Sequence, residues 1–243
     1  MRPFLFFATV LALSAAEPVR FTSGPARVAL IELYTSEGCS SCPPAERWMA
    51  ARRDDPGLWR DFVPVAFHVD YWNQLGWPDR FSTREFTQRQ YALATAWGGD
   101  SVYTPCFVRD GAEWRPESER ELRSGQAPAG ALAVVYDGVT LRAEFTPASV
   151  RVKDEFEVHV ALLGGGLVSK VTAGENSGAT LRQEFVALAL VSHALAPDRA
   201  ALVAEFALPA PAAKDAPRHA LAAWVTRRGK FEPVQATGGW LSP

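Results

Sequence analysis

Glu32-Leu33-Tyr34-Thr35-Ser36-Glu37-Gly38-Cys39-Ser40-Ser41-Cys42-Pro43-Pro44 decides how the rest of this chain is read. An apolar run, Val28 to Tyr34, has the composition of a buried strand, and Pro43-Pro44 suits the first turn of a helix, where proline is tolerated. Cys39 and Cys42 therefore fall where a strand hands over to a helix. Two cysteines with two residues between them bring their sulfurs together there, and the unpaired N–H groups and dipole of the helix start favour a thiolate. A free thiol titrates near ~8.5, and such a site lowers that by one to several units, which makes the first cysteine the attacking group.

Working outward, Ala45 to Arg52 continues the helix and Asp54-Asp55-Pro56-Gly57 ends it. The run from Phe62 to Asp70 is β-branched and aromatic, so the expected unit is β-α-β with parallel strands. Tyr71 to Phe81 is aromatic but broken by Gly76 and Pro78, and reads as a loop. Ser82-Thr83-Arg84-Glu85 carries the capping-box pattern and opens a helix to about Trp97, with Phe86, Leu93 and Trp97 on one face. Gly98-Gly99-Asp100 stops it; Tyr103 to Val108 then begins a strand that turns at Arg109-Asp110-Gly111.

From about Ala127 the pattern changes. Leu132–Tyr136, Leu141–Phe145, Phe156–Leu163, Phe185–Val191, Leu202–Leu208 and Ala220–Thr226 are short strand-like segments separated by turn residues. Phe156, Val158 and Val160 alternate with Glu157 and His159, the period of a half-buried strand. The expected organisation is an α/β domain over residues 26–126 and a β-rich, sandwich-like domain over 128–243, with the boundary in the Gly, Pro and Ala cluster at Gly125 to Pro128.

Met1-Arg2, the apolar run Phe4 to Leu13 and the small residues Ser14-Ala15-Ala16 have the order of a secretory signal peptide over residues 1–16. That run is too short to span a bilayer as a stable helix, and no stable membrane span is expected after cleavage. The expected location is periplasmic or secreted, where disulfides persist. The 243 residues carry 25 basic and 27 acidic side chains without a polybasic stretch, which argues against nucleic acid as a partner. With 48% hydrophobic residues, a core of ordinary size forms without staples. Of three cysteines, Cys106 is left over if Cys39 and Cys42 pair.

Cys39-Ser40-Ser41-Cys42-Pro43-Pro44, His68-Val69-Asp70-Tyr71-Trp72, Leu75-Gly76-Trp77, Tyr103-Thr104-Pro105 and Gly174-Glu175-Asn176-Ser177-Gly178 together resemble the bacterial exported thioredoxin-like family known as domain of unknown function 1223. The resemblance covers nearly all of the chain after the leader. It implies an α/β thioredoxin-like domain followed by the β-rich portion, in a periplasm of the Gram-negative type. Thioredoxin relatives in general imply Cys39 as nucleophile, Cys42 as resolving thiol and Pro105, after Thr104, as a cis-proline facing the pair. Cys106 departs from the pattern, since relatives tend to carry another residue after Thr-Pro.

Around this pair, Glu32, Glu37 and Asp70 are the candidates for proton transfer. Glu32 interrupts an apolar strand, and Asp70 ends the adjacent one. His68 shares the period-two face of Asp70, and either pairs with it or is a hydrogen-bonded core residue. Tyr71 and Trp72, with Trp77, either line a groove beside the dithiol or pack the helix that follows. Cys106 is a third redox partner, part of a metal site, or a buried small apolar residue.

The expected function is thiol–disulfide exchange with protein thiols or disulfides of the exported compartment, with no cofactor. Two alternatives stand beside it: copper(I) or zinc bound by Cys39 and Cys42 with Cys106 or His68, and a binding module whose disulfide is only structural. Gly174 to Gly178 has the composition of a tight turn, and Glu175 and Asn176 are polar enough to contact a partner.

Overall fold

The computed structural model describes residues 17–116, 122, 127–149, 154–211 and 213–241. The expected signal peptide, residues 1–16, lies outside them, as does most of the expected boundary before Pro128.

The first half holds β1 (Val19–Thr22), β2 (Ala29–Thr35), α1 (Pro43–Ala51), β3 (Phe62–His68), α2 (Arg84–Ala96), β4 (Cys106–Arg109) and β5 (Ala112–Trp114). The second half contributes β6 (Gly130–Tyr136), β7 (Thr140–Pro147), β8 (Phe156–Gly165), β9 (Leu167–Lys170), β10 (Thr180–Gln183) and β11 (Val186–Ala194). It ends with β12 (Ala196–Asp198), β13 (Ala201–Ala207), β14 (Arg218–Arg227) and β15 (Pro233–Trp240).

Every residue of β2 and β3 is buried, as for strands covered on both faces. They pair in parallel from Ala29↔Phe62 to Thr35↔His68, with α1 as the crossover, and β4 adds antiparallel on the other side of β2. On its free side β3 meets β11 at Val186↔Ala66, beyond Pro64, which has no N–H to offer a ladder. That junction joins the two halves in one eight-stranded sheet of order β15-β14-β8-β11-β3-β2-β4-β5. A five-stranded sheet, β1-β6-β7-β13-β12, packs over part of it, with Leu132, Leu141 and Phe145 facing Val158, Val160, Leu221 and Val225. β9 and β10 form a separate two-stranded hairpin that docks on α1.

The expected α/β thioredoxin-like fold is therefore corrected: among the described residues the structure is β-rich, 46% strand and 14% helix, with two α-helices. The strands expected to form a sandwich of their own do not; β8, β11, β14 and β15 extend the sheet that holds β2 and β3. The cause lies in the strand faces. Ala161, Leu163, Ala187, Ala220, Ala222 and Trp224 share one core with Ile31, Val65 and Phe67, so the apolar faces of both halves are buried together rather than in separate layers.

Both helices follow their sequence signals closely. α1 carries proline in its first turn and buries Ala45, Glu46 and Met49. α2 is capped by Thr83, whose hydroxyl oxygen accepts from the Phe86 N–H at 3.2 Å, one residue later than the capping-box pattern suggests. Ser82 instead donates to the Asp79 carbonyl at 2.8 Å.

Candidate functional site

The turn after β2 places Cys39 four residues before α1 and makes Cys42 the residue immediately preceding its first turn. The two sulfurs are joined as a disulfide, with Cα atoms 5.5 Å apart, and both residues are fully buried. Cys39 Sγ lies 3.3 Å from Ser41 Oγ and 3.8 Å from the carbonyl oxygen of Thr104, which also accepts from Ser41 Oγ at 3.5 Å. The Thr104–Pro105 peptide is cis. Trp72 closes this side: its Nε1–H donates to Thr104 Oγ1 at 2.8 Å, and a Cβ at Gly38 would come within 3.0 Å of the Trp72 Cβ.

The opposite side is closed by the tip of the β9–β10 hairpin. Asn176 Nδ2 donates to the carbonyls of Glu37 at 2.9 Å and Cys39 at 3.0 Å, while the Ser40 N–H donates to Glu175 Oε2 at 3.0 Å. The Gly174-to-Gly178 segment is thus the hairpin connection expected from its composition, and the partner of its polar residues is the cysteine turn of the same chain. Gly174, at φ +71, sits against Trp77, where a Cβ would meet Trp77 Cβ at 3.3 Å.

Beside the cysteine turn lies a buried set of ionisable residues. His68 Nδ1 is 2.7 Å from Asp79 Oδ2, and neither side chain reaches solvent. Asp79 also accepts the N–H groups of Glu37 at 2.8 Å and Phe81 at 2.9 Å. Burial opposes a charge on His68, but the Asp79 carboxylate, with help from Glu46 and Glu37, holds its pKa up to about 9. Burial equally opposes the Asp79 charge, yet His68 and the two backbone N–H groups keep its carboxyl below the usual range.

Glu46, one helical turn after Cys42, accepts from the Thr35 hydroxyl at 2.7 Å and from Gln183 Nε2 at 3.1 Å. Burial raises its carboxyl pKa against the opposing pull of His68 and those two bonds. Glu37 is fully buried; Trp77 Nε1–H donates to its Oε2 at 2.9 Å. Glu37 Oε1 and His68 Nε2 have no hydrogen-bond partner among the described residues.

Several expected site residues stand elsewhere. Glu32 points to the other face of β2, where Arg89 of α2 approaches its Oε2 at 2.9 Å and the Tyr34 hydroxyl donates to it at 2.9 Å. Asp70 lies past the end of β3, where the period-two rule no longer applies. It bonds the hydroxyl of Thr87 at 2.6 Å, and His68 takes Asp79 as its partner instead. Tyr71 donates to Gln90 of α2 at 3.2 Å, so it packs the helix, and burial pushes its phenol up to about 12.

Cys106, free and buried, pairs through its backbone with Tyr34. It lines a depression of about 350 Å³ with Gln90, Trp97, Tyr103 and Glu113, and burial pushes its thiol up to about 11. Among the described residues, no group of three or more His, Cys, Asp or Glu is placed to hold a metal ion, so Cys39, Cys42, Cys106 and His68 are not assembled into one.

Sequence reasoning passed over Asp79, Glu46 and Gln183. The signal available for Glu46 was its spacing from Cys42, four residues along one helix face. Asp79 and Gln183 carry no local pattern that announces their partners.

The family model described as "Protein of unknown function (DUF1223)" matches residues 30–226, and the chain belongs to that family. Two solved structures share the fold. Protein AGR_C_4864 from Agrobacterium tumefaciens is 20% identical, with a TM-score of 0.60 over 89% of this chain and 94% of that one. HBP35 of Porphyromonas gingivalis is 11% identical, with a TM-score of 0.60 over 90% of this chain and 76% of that one. No curated protein matches.

Proposed function

We propose that this protein carries out thiol–disulfide exchange at Cys39–Cys42, acting on protein thiols or disulfides in an exported compartment. The observation that carries the reading is a disulfide set at the start of α1 beside a buried group of ionisable residues, His68, Asp79, Glu46 and Glu37. The helix start favours the thiolate form of a reduced cysteine, and the Thr104 carbonyl and Ser41 hydroxyl give Cys39 polar neighbours. Export rests on the leader-like Met1 to Ala16. No helix among the described residues is long and apolar enough to cross a membrane.

In the reducing direction, the Cys39 thiolate attacks one sulfur of a substrate disulfide, forming a Cys39–substrate bond and releasing the second substrate sulfur as a thiolate. Cys42, giving up its proton, then attacks Cys39 Sγ. The Cys39–Cys42 bond re-forms and the first substrate sulfur leaves as a thiolate, so two electrons have passed to the substrate. Oxidation of a substrate dithiol is the same sequence reversed. The experiment is mixed-disulfide trapping: Cys42→Ser accumulates a Cys39-linked adduct with a disulfide-bearing polypeptide, and Cys39→Ser accumulates none. Absence of the adduct with Cys42→Ser contradicts the proposal.

A second reading, a structural disulfide in a binding module, is favoured by one observation: both cysteines are fully buried. The two readings separate on reduction potential, because structural disulfides typically lie below about −300 mV.

A further inference from the structure

The full burial of Cys39 and Cys42 conflicts with exchange chemistry, which needs an in-line approach to a sulfur. The β9–β10 hairpin resolves the conflict. It pairs only with itself, Thr180↔Lys170 to Gln183↔Leu167, outside the two larger sheets. Its two roots are marked by left-handed backbone, Gly166 at φ +73 before β9 and Phe185 at φ +58 after β10. Near the roots it is anchored in apolar surface, with Leu167 packed among Phe81, Val186 and Leu188. The tip is held differently. Glu175 is exposed and Asn176 half-buried, and the bonds they make to the cysteine turn are side chain to main chain.

Those bonds occupy a particular set of groups. Asn176 covers the carbonyls of Glu37 and Cys39, and Glu175 covers the N–H of Ser40. Two main-chain acceptors, on Glu37 and Cys39, and a donor, on Ser40, within one four-residue stretch are groups an extended polypeptide could bind in lying along the turn, as in main-chain recognition by strand addition. We propose that the hairpin tip is a self-inhibitory plug: Glu175 and Asn176 occupy the main-chain groups that an extended, cysteine-bearing polypeptide would bind, and exchange at Cys39–Cys42 requires the tip to leave. This rests on the exchange reading above. Displacing the tip costs three hydrogen bonds and the contact of Gly174 with Trp77, and leaves the root packing intact, so opening is local.

The test is the rate at which dithiothreitol reduces Cys39–Cys42 in the folded full chain. In that reaction two dithiothreitol thiols become a cyclic disulfide and the two cysteines become thiols. Asn176→Ala removes two of the three bonds and is expected to react about tenfold faster than wild type, with Glu175→Gln intermediate. Ser177→Ala, in the same connection, is expected to react at the wild-type rate. Equal rates for all four proteins overturn the plug.

Should the variants not fold, the wild-type chain decides, through hydrogen exchange of the Ser40 amide. Protection of that amide, lost in step with disulfide reduction as denaturant is raised below the unfolding transition, supports the plug; free exchange contradicts it. The outcome for the exchange reading is separate. An Asn176→Ala protein that dithiothreitol opens rapidly, but that forms no mixed disulfide in the Cys42→Ser background, keeps the plug and removes the oxidoreductase.

Discussion

His68 Nδ1 and Asp79 Oδ2 lie 2.7 Å apart with neither residue exposed, and this pair fixes the loop after β3 against the cysteine turn. Asp79 bonds both His68 and the Glu37 N–H, so one carboxylate links β3 to the residue two before Cys39.

The pair gives stability a defined pH window. His68 has its folded pKa raised from 6.5 to about 9, so its contribution is complete below about 6.5 and is lost as pH rises through about 9. Asp79 has its pKa lowered from 3.8, so its contribution is present above that value and is lost as pH falls through the lower folded value. Thermal melts from pH 4 to 10 are expected to show Tm falling above neutrality, and His68→Gln is expected to flatten that decline. An identical decline in both proteins contradicts the assignment.

Glu32 and Arg89 form a buried ion pair on the face of β2 that packs α2. Arg89→Leu leaves the Glu32 charge uncompensated and is expected to cost about 3–5 kcal/mol in urea unfolding. Because Glu32 faces away from the disulfide, the exchange rate of the folded variant is expected to match wild type. A slowed exchange at unchanged potential returns Glu32 to the proton path.

Cys106 is expected to be an unreactive thiol. With its pKa pushed up to about 11, iodoacetamide at pH 8 modifies it far more slowly than a free cysteine. Cys106→Ala is expected to leave exchange at Cys39–Cys42 intact. Rapid alkylation in the folded protein, or loss of exchange in the alanine variant, reopens a three-thiol mechanism.

Gly38 is held small by Trp72. Gly38→Ala puts a methyl 3.0 Å from the Trp72 Cβ and 3.4 Å from its carbonyl oxygen, pressing on the ring that donates to Thr104. A strain of about 1 kcal/mol lowers Tm by about 2–4 °C in a chain of this size. Calorimetry of the variant checks this, and an unchanged Tm shows that the loop gives way without cost.

How far the sequence could be read depended on whether the deciding contact was local. The strand into Cys39, the proline-led helix, the strand from Phe62 and the helix before Trp97 each carry their own periodicity, and all four form close to where expected. β15 was missed because its two β-branched residues, Val234 and Thr237, stand among Pro233, Gly238 and Gly239, which read as strand breakers; the small residue is needed at Gly239, where a Cβ would strike the Phe21 ring. The joining of the halves rests on Val186↔Ala66, a pairing of residues 120 apart in sequence, and no local signal announces it.

The site divides in the same way. Cys39, Cys42, Thr104 and Trp72 were legible because motif and order mark them. His68 was legible, but its partner was not, since the strand ends at His68 and the loop brings Asp79 back from eleven residues on. Asn176 and Glu175 looked like turn residues because that is also what they are; their second role exists only once the hairpin is folded onto the cysteine turn.

The most direct test of the central claim is the reduction potential of Cys39–Cys42, measured on the full chain by equilibration with glutathione and dithiothreitol buffers. An exchange site is expected to fall between about −270 and −120 mV, the range of known dithiol catalysts. A value below about −300 mV would mark a structural crosslink and contradict the account.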